Sequence, residues 1–236
     1  MISVTPLERL GRFDSDWLQA RYHFSFAGYR DAARMGLGAL CVWNDDTVRP
    51  GTGFDRHSHR DMEIVTYLRS GAITHEDDLG NRGVIRAGEV QAMSAGTGIE
   101  HAERNLEGVD TTLFQIWIEP ARAGFAPRWA TAPVPVEERT GRLRVLVSGR
   151  PGDAGLGALP IHQDAAVLGA ILPAGQSVAH PLGRGRAAYL VPATGSLEIN
   201  GHRAEARAGV AVTDEERVLL RALADCELVL VDVAAG

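Results

Sequence analysis

Two closely spaced pairs of metal-binding side chains constrain this chain more than any other feature. His57-Ser-His59 and His101-Ala-Glu103 each set two ligating groups two residues apart. Residues two apart do not share a helix face, whereas alternate side chains of a strand point the same way at a repeat of roughly 6.5 Å. Each pair therefore works as a pair only on extended backbone. Two such strands side by side offer three imidazoles and a carboxylate to one cation, a donor set that suits iron, manganese, nickel, copper or zinc. Structural zinc usually takes thiolates and closes all four positions, and no cysteine lies near these histidines.

The rest of the sequence agrees with extended backbone. Short runs at 63–68, 71–76, 83–86, 89–93 and 111–119 alternate with glycine punctuation, which predicts an antiparallel barrel or sandwich. No sustained helical periodicity interrupts them. Phe24 and Phe26 alternate with Ser25 as in a strand, and Asn44-Asp-Asp46 with Pro50-Gly51 supplies turn chemistry. The stretches 120–127 and 131–135, rich in proline and alanine, read as a crossing between two units, residues 1–133 and 134–236. Runs at 143–147, 166–172, 187–191, 195–199, 210–212, 218–222 and 227–233 repeat the strand-rich pattern, with a hairpin expected at Asn200-Gly201.

Composition excludes several function classes. Net charge is −6, so there is no basic footprint for nucleic acid or an anionic membrane. All 24 basic residues are arginine. A Schiff-base or P-loop lysine is thus impossible. Cys41 and Cys226 sit in apolar contexts and read as two buried thiols rather than a disulfide. The N-terminus has no run fit for a signal peptide, and the longest uncharged apolar run, 165–172, is far too short to span a bilayer. The expectation is a cytoplasmic protein.

Spacing around the pairs is specific. Gly51, five residues, His57-x-His59, three residues and Glu63 resembles the first cupin motif; Gly98, two residues, His101, three residues and Asn105 resembles the second. Bare cupin spacing would make Glu63 the carboxylate ligand, and Glu103 is a second candidate. Tyr22-His-Phe-Ser-Phe-Ala-Gly-Tyr29, Asn44-Asp-Asp46, His57 to Glu63, Met93 to His101 and Gln115-Ile-Trp117 together resemble the pirin family, and within it the bacterial quercetinase-like bicupins.

That resemblance implies an all-β bicupin whose N-terminal barrel holds the metal through His57, His59, His101 and Glu103. By the resemblance Glu63 is then a supporting or structural residue. As strand-end carboxylates, Glu63 and Asp61 read more plainly as groups that orient the imidazole N–H groups than as ligands. The resemblance implies one divalent metal, with Fe(II) the expected occupant and manganese, nickel, copper, cobalt or zinc as alternatives. It also implies a flavonol dioxygenase in which Glu103 takes the substrate's hydroxyl proton, dioxygen adds, and the ring opens with loss of carbon monoxide. The family's other role, binding a transcription regulator or metabolic enzyme, implies a protein partner instead. A monomer is expected. Phe54, Met93 and Trp117 are candidates for an apolar pocket wall, and His75 faces either pocket or solvent. In the second half His162, His180 and His202 are isolated and read as structural, so the second barrel is expected to lack a metal.

Overall fold

The computed structural model describes residues 1–235. Among them the chain forms four sheets, two in each half, in which all paired strands are antiparallel except Arg144–Ser148 with Leu159–Pro160. In the first half a seven-stranded sheet runs Arg128–Pro133, Glu89–Ser94, Glu63–Ser70, Thr111–Ile118, Leu40–Val48, Leu18–Tyr22 and Gly11–Asp14. It faces a four-stranded sheet of Thr52–His59, Ile99–Asn105, Ala72–Asp77 and Arg82–Arg86. The second half repeats the plan, seven strands against four. This is the all-β bicupin architecture that the sequence predicts. The strand Ile2–Thr5 crosses over and pairs with Gly209–Thr213, so the chain's beginning is built into the second half's large sheet.

Alternation along the large-sheet strands creates a core within each half and a third layer between them, with a smaller cluster around Ile64 and Met93. In the first half Leu18, Val48, Leu68 and Leu113 meet Ile73 and Ile85 of the small sheet. In the second, Leu168, Leu190 and Leu230 meet Leu197, Val218 and Leu220. The outer faces of the two large sheets then bury each other: Trp43, Tyr67, Phe114 and Ile116 pack with Val167, Tyr189, Val229 and Val231. A strand buried on both faces needs no polar alternation, which explains why 165–172 is apolar throughout. Polar contacts also cross this layer. Arg139 donates to both Tyr67 Oη and Glu227 at 2.6 Å, and Asp45 pairs with Arg207.

Three expectations are corrected. Asn44-Asp-Asp46 is no turn: it lies mid-strand in Leu40–Val48, with all three side chains buried. Tertiary placement has overridden turn propensity there. Phe24 and Phe26 lie beyond the end of the strand Leu18–Tyr22, and Phe24 joins the layer between the halves. Thr131–Pro133 is the end of an edge strand paired with Glu89–Ser94 rather than linker, a position where proline is tolerated. The hairpin at Asn200-Gly201 forms, with φ +46° and +84° at its two residues. No helix among the described residues is long and apolar enough to cross a membrane.

Candidate metal centre

The strands Thr52–His59 and Ile99–Asn105 pair so that His57 lies opposite His101. One extra residue on the first strand then puts Phe54, not Asp55, opposite Glu103. Such a bulge re-aims side chains beside a site. The turn before the second strand depends on Gly96 at φ +47°, where an added Cβ would lie 2.1 Å from the Phe125 carbonyl oxygen. Only glycine fits that approach.

The three imidazoles converge. Ring centres are 4.5 Å apart for His57 and His101, 4.7 Å for His57 and His59, and 5.0 Å for His59 and His101. One ring nitrogen from each lies within 4.8 Å of the others. A second cluster, His75, His101 and Glu103, meets the same distance and shares His101. Glu63 is in neither cluster; its Oε2 accepts from Ser94 Oγ at 2.6 Å.

Hydrogen bonds fix which nitrogens carry lone pairs. His57 Nδ1 donates to the Asp55 carbonyl at 2.6 Å, leaving Nε2 as a ligand atom. His75 Nε2 lies 3.1 Å from Asp77 Oδ2, and His75 Nδ1 lies 3.5 Å from His101 Nδ1. A proton on Nε2 of His75 leaves its Nδ1 to accept from His101, which turns the lone pair of His101 to Nε2. That Nε2 is buried with no hydrogen-bond partner. An enclosed, unpartnered imidazole nitrogen beside two further imidazoles fits a cation: the donor set is neutral nitrogen, and the orphan atom lacks only a Lewis acid. Burial, reinforced by neighbouring imidazoles, pushes both His59 and His101 down to about 4, so both rings are neutral at physiological pH.

Glu103 is gripped symmetrically. Gln91 Nε2 donates to Oε1 at 2.9 Å and Gln115 Nε2 to Oε2 at 2.8 Å. Each amide is oriented by an indole: Trp129 Nε1 donates to Gln91 Oε1 at 2.6 Å and Trp117 Nε1 to Gln115 Oε1 at 3.2 Å. Since an indole can only donate, each glutamine must present its NH₂ to the carboxylate. The same indoles pack on the histidines, Trp129 stacked on His75 and Trp117 edge-on to His59. Burial pushes the Glu103 carboxyl up, but His101, Gln91, His75 and Gln115 outweigh it, and its pKa lies below the ordinary value. Glu63 shifts the other way, raised chiefly by burial.

A cavity of about 690 Å³ opens onto His57 and His59, within the range for small-molecule sites. Trp17, Tyr22, Phe26, Phe54 and Trp117 give it aromatic walls, and Asn44, Asp46 and Gln115 are polar members of its lining. His101 and Glu103 are not among the lining residues and are almost fully buried. Phe54 and Trp117 thus take the expected place, whereas Met93 packs in a core with Ile64, Ala95 and Ile99. His75, Asp77, Gln91 and Gln115 are the supporting residues that motif spacing does not reveal. Their signal was faint: a His-x-Asp pair, and two amides interrupting apolar strands.

Both ligand clusters found among the described residues lie in the first half. In the second, His180 Nε2 bonds Asp232 Oδ2 at 2.7 Å, a carboxylate also held by Arg150 and Arg186. His162 stacks on Phe125 at 3.8 Å, and His202 is exposed.

Comparison with known proteins places the chain in a family. The Pirin family profile matches residues 4–118, and that of the quercetinase C-terminal cupin domain matches 145–233. A pirin-like protein of Caulobacter vibrioides is 54% identical over 99% of this chain and 100% of its own length. The chain belongs to the pirin family. Quercetin 2,3-dioxygenase of Escherichia coli K12 is 38% identical over 99% of both chains. Among solved structures, the bacterial pirin YhhW of Escherichia coli in complex with nickel(II) superposes with a TM-score of 0.93 at 35% identity, covering 100% of both chains.

Proposed function

We propose that this pirin is a metal-dependent dioxygenase that opens the ring of flavonols. The observation that carries the reading is the three-imidazole cluster, with its orphaned His101 Nε2, set at an aromatic-walled cavity. His57, His59, His101 and Glu103 are the residues we assign to the cation, and Fe(II) the ion. The nickel(II) in the related Escherichia coli structure supports a transition metal at this family's site. When bound, such an ion supplies Lewis acidity toward a hydroxyl and open positions for small molecules.

The chain's own groups do the rest. Trp17 and Phe54, edge to face at 5.2 Å, and the series Tyr22, Phe26 and Trp117 form flat walls that select a planar aromatic ligand and keep water from its faces. His57 and His59 border the cavity and set where the ligand's reacting end must lie. Glu103, held between its two amides and enclosed behind the histidines, is the group we assign to accept the enolic proton, which requires the ligand's hydroxyl to reach past His57 and His59 from the cavity.

The test is aerobic incubation of iron-loaded protein with quercetin, following flavonol absorbance, oxygen uptake and carbon monoxide release. Loss of flavonol with stoichiometric oxygen uptake is expected, and His101→Ala should abolish it. Flavonol that stays intact beside metal-loaded wild-type protein would refute the enzymatic reading.

A further inference from the structure

We infer that Asn44 and Asp46 form a hydrogen-bonding seat in the cavity that reads a further hydroxyl of the aromatic ligand, beyond the oxygens turned toward the histidines. The inference deepens the flavonol reading above and rests on it for the class of ligand.

The seat is built into the centre of the fold. Leu40–Val48 is an interior strand of the large sheet, with Tyr22 and Gln115 flanking Asn44 and Ala20 and Leu113 flanking Asp46. Side chains alternate along it. Trp43 and Asp45 face the other half of the molecule, so Asn44 and Asp46 face the cavity, which both of them line. Asp45, between them, is fully engaged by Arg69 on one oxygen and Arg207 on the other. Its two neighbours are not: Asn44 Oδ1 and Asp46 Oδ1 are buried without any hydrogen-bond partner.

Asn44 is 4% exposed and Asp46 only 1%. Polar groups so deeply buried are nearly always paired, and leaving one unpaired is expensive. Two unpaired neighbours on one face of one strand, both bordering the same aromatic cavity, mark a place where a ligand completes the bonding. Their terminal torsions are soft, so a small rotation brings either oxygen to a hydroxyl. Burial, then the Asp45 and Glu103 carboxylates, holds the Asp46 carboxyl well above its ordinary range against the pull of Arg69. The Asn44 amide adds N–H donors beside these oxygens, so the seat offers a donor as well as lone pairs. A phenolic hydroxyl, donor and acceptor at once, is the complementary group.

Two consequences separate this seat from a structural role. Replacing an unpaired buried polar group by an apolar one of similar shape relieves its desolvation, so Asp46→Leu should raise the melting temperature of the ligand-free protein. A structural Asp46 would make the same variant less stable or unable to fold. Ligand discrimination should move the other way. Metal-loaded protein is titrated without oxygen, by quenching of tryptophan fluorescence, with quercetin and with the parent flavonol, which lacks the additional hydroxyls. Wild type should prefer quercetin by about tenfold, the worth of a buried hydrogen bond. Asp46→Leu and Asn44→Leu should bring the two affinities together, and Asp46→Asn, which keeps an acceptor oxygen at the same place, should retain the preference.

Equal affinities in wild type, an unchanged preference in Asp46→Leu, or a destabilised Asp46→Leu protein would each overturn the seat. Because binding is read without turnover, the two readings fail separately. Quercetin preferred in binding but never consumed in air would overturn the dioxygenase and leave the seat. Consumption in air without that preference would do the reverse.

Discussion

Cutting one arm of the clamp on Glu103 tests whether this carboxylate serves the cation. Gln115→Leu keeps the side chain's bulk and removes the 2.8 Å bond to Oε2; Gln91→Leu removes the 2.9 Å bond to Oε1. A hydrogen bond to a charged group contributes about 1.5–3 kcal/mol, and loss of a group that orients a metal ligand costs about 10–100-fold in affinity. Each variant should therefore bind Fe(II) or nickel(II) about 10–100-fold more weakly, measured by competition with a chromophoric chelator. The two differ in what else they break. Gln91 also donates to Thr66 Oγ1 at 3.1 Å and accepts from Trp129, so Gln91→Leu strands two further groups and should lower stability by about 1–3 kcal/mol. Gln115→Leu strands, besides Glu103 Oε2, only the part-exposed Trp117 indole, which water can serve, and should melt above Gln91→Leu. Wild-type metal affinity in both variants would show that Glu103 plays no part in holding the ion.

Glu103→Ala should lose metal affinity and turnover together while Glu63→Gln keeps the metal, as elemental analysis of the two variants would show; a metal-free Glu63→Gln beside a metallated Glu103→Ala would reverse the assignment. Burial, aided by Arg34, Arg207 and Arg69, pushes His23 down from 6.5 to about 3. The unfolded chain therefore binds the proton first: stability is full above 6.5 and falls as pH drops toward 3. His23→Gln, which can still hydrogen-bond Tyr189, should reduce the dependence of urea midpoint on pH across that window, leaving the share that His59 and His101 contribute; an unchanged slope would rule out a contribution from His23. Residues 1–133 expressed alone should be insoluble or metal-poor. They would bare Trp43, Tyr67, Phe114 and Ile116 and leave Ile2–Thr5 without its partner strand, and a soluble, metallated fragment would contradict this.

The site's histidines were legible because their signal is local. An alternate-residue pair has one sensible backbone, and two such pairs have one sensible use. Asn44-Asp-Asp46 was misread for the complementary reason: asparagine and aspartate are the residues of turns and equally the residues of a polar floor, and three letters do not distinguish them. The flanks carry the missing information. Leu40 to Trp43 before and Thr47-Val48 after are strand-forming, and the run simply continues through. Gln91 and Gln115 were hidden likewise, since an amide in an apolar strand shows its purpose only when the carboxylate it grips, twelve residues away in each case, is in place. The two halves make the same point by contrast. Both build a seven-stranded sheet against a four-stranded one, but the second fills its interior with leucine, valine and alanine and ties His180 to Asp232. The first leaves His101 Nε2, Asn44 Oδ1 and Asp46 Oδ1 enclosed and unanswered. In the function proposed above, these three are the groups that a cation and its aromatic ligand complete, because they alone of the unpartnered buried atoms among the described residues belong to the histidine cluster or to the cavity lining.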